Sequence, residues 1–426
     1  MPPLRFIAAF IFFACGGFVV HGAEPARFSE PAREIGTLLS LMERRLALMP
    51  EVAAWKFTRG QAVADERRER EVLDHWEASA GALGVERRAA RKFMEEQILA
   101  ARALQELLIS DWRSGRSATP PARDLQQEIR PELDRVGLAM LAAVREVAAD
   151  GAISSVSPHF EESMRAICGR HGLPGEMAAR MSAAITGLRV SGAATLAGLR
   201  QAGVLRVGLT GDYAPFSEDR GGELLGLDVE LVHDFAASLG VRVRFVRTSW
   251  SLLMNDLAAG RFDLAAGGIS VTPERRARAD FGPPLLTDGK TPVARCADRG
   301  RFVTLEEINL PGVRVIVNPG GTNERFAREN FPRASLRVFP DNRTIFTEIL
   351  EGRADVMITD GIEVKLQSLR HAGLCGTRAE PFTVSEKAWM LPPGAELTAE
   401  VAKWLRPRVA SGEIARRLES AIDRAR

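Results

Sequence analysis

The sequence predicts a multidomain chain, an all-α N-terminal half followed by an α/β C-terminal half. From about Phe28 to Leu188, apolar residues recur at three- and four-residue spacing, the period of helices buried along one face. From about Thr195, short β-branched runs alternate with helical stretches, which points to α/β layers with largely parallel sheets. Between the halves, residues 189–194 hold Ser191, Gly192 and two alanines and read as a short linker. A length of 426 residues suits two or three domains.

At the N-terminus, Arg5 precedes an apolar run from Phe6 to Val20, followed by the small residues Gly22 and Ala23. This is the shape of a signal peptide over residues 1–23, too short for a stable membrane span, and it predicts export to the periplasm with cleavage near Ala23. Phe12, Phe13 and Ala14 before Cys15 make a poor lipoprotein signal. Cleavage would leave Cys168, Cys296 and Cys375. In an oxidising compartment Cys296 and Cys375, which fall in the same C-terminal unit, are expected to pair, leaving Cys168 as a buried thiol. The formal net charge of +2 gives no global field for nucleic acid or for a membrane after signal removal. The six histidines are scattered with no HExxH, so neither a metal site nor a cofactor is expected.

The helical domain is expected over residues 28–188. Leu38, Leu41, Met42, Arg45 and Leu46 share one periodic face, and Phe93, Gln97, Ile98, Ala101, Leu104, Gln105 and Leu108 share another. Glycine and proline cluster at Ser114 to Pro121 and Gly172 to Gly175, marking breaks. Several polar residues interrupt the apolar pattern: Arg45, Lys56 after Val52-Ala53-Ala54-Trp55, the i, i+3, i+4 set Asp65, Arg68 and Glu69, then Gln105, and Arg130 before Pro131. Singly, each also fits an exposed charge or an intrahelical pair.

Together they resemble the exported, all-helical chorismate mutases over about Ile35 to Ala184. The motifs are Arg45-Leu46, VAAWK ending at Lys56, D-x-x-R-E at Asp65 to Glu69, and QILAARALQ at Gln97 to Gln105. Chorismate is a dianion that rearranges by a concerted pericyclic shift, so the protein must fold it into its reactive conformer and stabilise charge on the ether oxygen. The resemblance implies that Arg45, Arg68 and Arg130 grip carboxylates. It also implies that Lys56 and Gln105 donate to the ether oxygen, and that Asp65 and Glu69 hold hydroxyl and cationic groups.

The C-terminal domain is expected over residues 195–426, with strands at Leu205 to Leu209, Val241 to Val246, Leu264 to Ala266, Val313 to Val317 and Val356 to Ile358. Its most informative local feature is the run Val317 to Glu324, an apolar strand breaking into Gly320-Gly321-Thr322. Such a turn offers backbone N–H groups to an anion. An acid beside an anion site makes chemical sense if it stays protonated and donates its proton, which singles out Glu324 as a catalytic acid. A solvated glutamate on a first helical turn is the plainer alternative.

The order LRVGLTGDYAPF at Leu205 to Phe216, then Leu225 to Asp228, Ala265 to Ser270 and Thr272 to Arg275 resembles the two-lobed periplasmic amino-acid-binding proteins. TSW at Thr248, DGKTP at Asp288, NPGGTNE at Asn318, PDN at Pro340 and TDGIE at Thr359 are closer to cyclohexadienyl dehydratase, an enzyme on that scaffold. Gly361 departs from the alanine common there and is expected to affect packing only. The resemblance implies a hinge near residues 292–296 and 383–390. It implies carboxylate contacts from Arg275, Thr322, Ser270 and Lys290, with Trp250 packed on the substrate ring. Asp360 would receive an ammonium group, and Asp212 is a weaker candidate that also suits a turn cap.

The first reaction's product is the second's substrate. The expectation is therefore an enzyme converting chorismate to prephenate and prephenate to phenylpyruvate, or arogenate to phenylalanine. Its partners would be those small molecules, with a homodimer left open. The rival is a solute-binding protein fused to a mutase and lacking dehydratase activity.

Overall fold

The computed structural model describes residues 31–150 and 153–426, so the signal-peptide reading lies outside the described residues. The N-terminal half consists of helices α1 (Pro31–Ala47), α2 (Met49–Thr58), α3 (Glu66–Ala82), α4 (Arg87–Arg113), α5 (Arg130–Asp150), α6 (Ile153–Arg170) and α7 (Gly175–Thr186), with one π-helical turn, Leu125–Ile129. Side chains set the starts. Asp65 caps α3 by accepting from the Arg68 N–H, Glu86 caps α4 through the Arg88 and Ala89 N–H groups, and Asp124 caps the π turn. Leu38, Met42 and Leu46 on α1 meet Phe93 and Leu104 on α4 and Met140 and Val144 on α5 in one continuous apolar core. The Trp76 indole N–H donates to the Ala90 carbonyl at 2.8 Å and locks α3 against α4.

Beyond α8 (Leu196–Ala202) the α/β half begins. Its strands are β1 (Val204–Leu209), β2 (Asp212–Tyr213), β3 (Ser217–Arg220), β4 (Glu223–Leu225), β5 (Arg242–Arg247), β6 (Leu264–Ala265), β7 (Asp280–Phe281) and β8 (Leu286–Asp288). They continue with β9 (Lys290–Arg295), β10 (Arg314–Val317), β11 (Ser335–Val338), β12 (Val356–Asp360), β13 (Leu374–Gly376), β14 (Ser385–Lys387) and β15 (Met390–Leu391). One sheet, ordered β5-β1-β6-β15-β7, forms the first lobe, and a second, ordered β11-β10-β12-β9-β13, forms the other. β1 runs parallel to β5 and β6, and β10 parallel to β11 and β12. The C-terminal helices Glu396–Ala410 and Glu413–Ala425 return to the core of the first lobe. Cys296 and Cys375 form a disulfide within the second lobe, and Cys168 is a buried free thiol.

The structure corrects two boundaries. The chain crosses between lobes on the antiparallel pair β8 and β14, where Asp288 faces Ser385 and Leu286 faces Lys387. Residues 292–295, expected as hinge, lie inside β9, where Pro292 and Val293 pair with Ile358 and Met357 of the second sheet. The crossover is tight because Gly289 lies against the Thr383 carbonyl: a Cβ there would come within 1.7 Å of that oxygen. The segment 189–194 is also no free linker. Ser191 N–H donates to the Gly84 carbonyl at 2.7 Å, Glu86 N–H to Arg189 at 2.8 Å, and Val190 bridges Val85. Gly84, at φ +73°, is pressed against the Gly192 carbonyl, which only a residue without Cβ tolerates.

Candidate active sites

Helix geometry brings Arg45, Lys56, Asp65, Arg68, Glu69, Gln105 and Arg130, from five different helices and caps, to the wall of one cavity of about 490 Å³. The far walls are apolar and include Val52, Met94, Ile98 and Leu141. Burial lowers the Arg45 guanidinium to about 10, with Asp134 opposing that shift, and its Nε is shielded from solvent without a partner. Lys56 donates to the Val63 carbonyl at 2.6 Å. Burial pushes its ammonium below the ordinary lysine range, against the pull of Asp65 and Glu69. Gln105 donates to the Ala101 carbonyl at 3.1 Å, and its Oε1 is buried and unpaired. Arg68 lies 3.6 Å from Asp134, and Arg130 lies 3.9 Å from Asp65. Arg102, which sequence reasoning missed, lines the same cavity and holds Glu69 at 3.0 Å. It lies inside the QILAARALQ run, one residue past Ala101, so its place in the motif was the available signal.

In the α/β half, the lobes meet over a small inner chamber and a wider outer cleft. The chamber, about 20 Å³, is lined by Tyr213, Trp250, Ser270 and Arg275 from the first lobe, Thr322, Asn342, Asp360 and Glu363 from the second, and Lys387 from hinge strand β14. The outer cleft, about 540 Å³, shares Trp250, Arg275 and Thr322 with it. The Asn342 amide donates to the Asp212 carbonyl at 3.0 Å, and Arg325 meets Glu274 at 2.9 Å, so the lobes are latched closed.

The chamber is built around Asp360. Lys290 reaches one of its oxygens at 2.8 Å, while Lys387 and the Tyr213 hydroxyl (2.8 Å) reach the other. Burial pushes that carboxyl up, but the two lysines outweigh it and hold it well below the usual range. Asp360 is therefore paired with two cations, Lys290 and Lys387. Lys290 also bonds Thr322 Oγ1 at 2.8 Å and Asn323, and Lys387 bonds Ser270 Oγ at 2.8 Å. Burial lowers Arg275 to about 10, and its guanidinium donates to the Ser270 carbonyl at 2.8 Å. Trp250 stands edge-on to Tyr213 and donates to Asp212 at 3.1 Å. A Cβ at Gly361 would come 2.7 Å from Asp288 Oδ1.

Glu324 lies beside this chamber. It lines the outer cleft, not the chamber. Its carboxylate accepts from the Gly320 N–H at 2.7 Å and pairs with Arg328 at 2.6 Å, and these bonds lower its proton affinity. These contacts favour its charged form. The chamber contains a different acid. Glu363 is 2% exposed, bonded to Asn342 (3.1 Å) and to Thr359 Oγ1. Burial, aided by the Asp360 charge, raises it to about 8. Its signal in the sequence was the TDGIE run, where strand β12 ends at Asp360 and the helix Gly361–Arg370 begins, putting the acid in the first turn. Lys387, the other residue missed, had no comparable signal because it acts from the hinge.

Residues 205–422 match the bacterial extracellular solute-binding proteins, family 3, and the chain belongs to that family. Residues 36–106 match chorismate mutase type II, so a mutase-type helical domain precedes the binding-protein scaffold. Among individual relatives, the chain is 48% identical over 225 residues to the cyclohexadienyl dehydratase of Pseudomonas aeruginosa, covering 52% of this chain and 84% of that one. It is 28% identical over 229 residues to the L-cystine-binding protein TcyJ of Escherichia coli, covering 54% of this chain and 85% of that one. The crystal structure of an ancestral amino acid-binding protein, described as a precursor of cyclohexadienyl dehydratase, superposes with a TM-score of 0.50 at 32% identity. That match covers 53% of this chain and 99% of the other.

Proposed function

We propose that the chain is a bifunctional enzyme of phenylalanine biosynthesis, a chorismate mutase followed by a prephenate and arogenate dehydratase, working in the periplasm. Its likeness to the Pseudomonas aeruginosa dehydratase supports the second activity over passive binding. The kinship with extracellular binding proteins, one of them the histidine-binding periplasmic protein of Salmonella typhimurium, supports the location.

In the helical cavity, Arg45, Arg68 and Arg130 would hold the two carboxylates of chorismate. Lys56, with Gln105 after a half-turn of its amide, would donate to the ether oxygen as charge builds there. Glu69, steadied by Arg102, would take the hydroxyl. No proton changes hands in this step.

Arg275, Lys290 and Lys387 against Asp360 leave a surplus of two positive charges at the interlobe site, which matches the two carboxylates of prephenate; the chamber would open into the outer cleft, with which it shares Trp250, Arg275 and Thr322, to admit the substrate. Glu363 would protonate the ring hydroxyl, and the C–O bond then breaks to release water. The ring carboxylate leaves as carbon dioxide, and the electrons of its C–C bond complete the aromatic ring. Prephenate thus yields phenylpyruvate, one water and one carbon dioxide, and solvent reprotonates Glu363. For arogenate, the amino group would exchange with a lysine at Asp360. The observation that carries this reading is an acid of raised proton affinity sealed in a cationic interlobe chamber.

Product analysis of the purified chain given chorismate tests it. Wild type should yield phenylpyruvate. Glu363→Gln should stop at prephenate, with dehydratase turnover down by roughly 10²–10⁴, whereas Arg68→Ala should consume prephenate but not chorismate. A Glu363→Gln variant that still makes phenylpyruvate at the wild-type rate defeats the assignment.

A further inference from the structure

Helix α8 belongs to both halves at once. Leu199 is fully buried in the core of the first lobe, while Ala202 packs against the core of the helical domain. Gln201, between them in sequence, lines the mutase cavity, and its amide donates to Ser79 Oγ at 3.3 Å at the C-terminal end of α3. The opposite end of α3 carries Asp65, Arg68 and Glu69. About fourteen residues at 1.5 Å each place Ser79 roughly 21 Å from Asp65.

The fit of α8 against α3 is close. Thr195 N–H donates to the Ala82 carbonyl at 2.8 Å, and a Cβ at Gly198 would come within 2.2 Å of that oxygen. A second brace holds the opposite wall. On α5, which lines the cavity through Asp134 and Leu141, Arg145 pairs with Asp263 of the first lobe, and Glu146 meets Arg244 of β5 at 2.9 Å. The first lobe therefore grips both helices between which chorismate would lie.

We propose that the dehydratase domain completes the mutase site in cis, with Gln201 as a positioning residue: it closes the cavity at the domain junction and holds the end of α3, so that the charged residues at the helix's other end meet substrate in register. This rests on the mutase reading of the cavity given above. A neutral amide suits the position, because it seals the cavity without setting a charge opposite a dianion.

Steady-state kinetics on the full chain test it with Gln201→Ala and, as the conservative control, Gln201→Asn. Losing one hydrogen bond and the seal should raise KM for chorismate by about tenfold, the equivalent of roughly 1.4 kcal/mol, with a smaller change in kcat. Dehydratase kcat/KM on prephenate should hold. Gly198→Val, which wedges α8 from α3 without touching the cavity, should reproduce the mutase defect and again spare the dehydratase. The inference is overturned if Gln201→Ala leaves chorismate KM within twofold of wild type. It is equally overturned if both activities fall together with the melting temperature, since that marks a general loss of fold. Wild type failing to turn over chorismate would instead sink the mutase reading itself.

Discussion

A carboxylic acid donates a proton at neutral pH only where its surroundings penalise the charge more than they reward it. Glu324 and Glu363 stand on opposite sides of that line. Both occupy first helical turns, which favour the anion. At Glu324 the Gly320 N–H and Arg328 add to that preference; at Glu363, removal from water overrides it. Local sequence carried both the glycine turn beside Glu324 and, four residues on, the Arg328 that pairs with it. It could not show the burial of Glu363, whose partner Asn342 lies 21 residues away in the chain. The residues that line the helical cavity were easier to place together, because Arg45, Lys56, Arg68 and Gln105 each sit in a helical run whose period fixes a face. The pH profile follows. A group raised to about 8 in the folded protein is protonated below that point, so dehydratase kcat should fall as pH rises through it. Mutase kcat, which depends on no proton of Gln105, should show no break there. The same shift has a stability consequence: the folded state binds this proton more tightly, so Glu363's contribution is complete below the unfolded value and is lost as pH climbs through the folded one. Parallel pH titrations of the two activities separate these effects. Glu324→Gln should change dehydratase turnover by less than about fivefold, the scale of an exposed ion pair.

At the level of elements, the helices and strands were legible because burial imprints a period on the chain, whereas the joints were not. The crossover at Gly289 and the pinned segment 189–194 depend on contacts with Thr383 and Gly84. Those partners lie far off in sequence and leave no periodic trace. The disulfide was foreseeable from compartment and co-location alone. It closes a separation of 79 residues between β9's end and β13, all within the second lobe. In the chain-entropy account such a loop is worth on the order of 4 kcal/mol. Reduction should therefore lower the melting temperature and, because the halves share α8, bring down both activities together at elevated temperature. Activity assays after mild heating, with and without reductant, read the difference.

For the molecule as a whole, the interface between halves is ionic at its centre. Arg145 and Arg206 are both fully enclosed around Asp263. Neutralising that aspartate would leave two buried guanidinium groups facing each other, and breaking a buried pair in this way costs about 3–5 kcal/mol. Asp263→Asn should therefore show a marked drop in melting temperature by calorimetry, although Asp263 lines neither reaction cavity. The normal chain carries a helix, α8, with one side in each core. Neither half can loosen without uncovering part of the other, so heat should take the wild-type protein through a single endotherm in place of the two peaks typical of beads on a string, and both catalysts should expire at the same temperature.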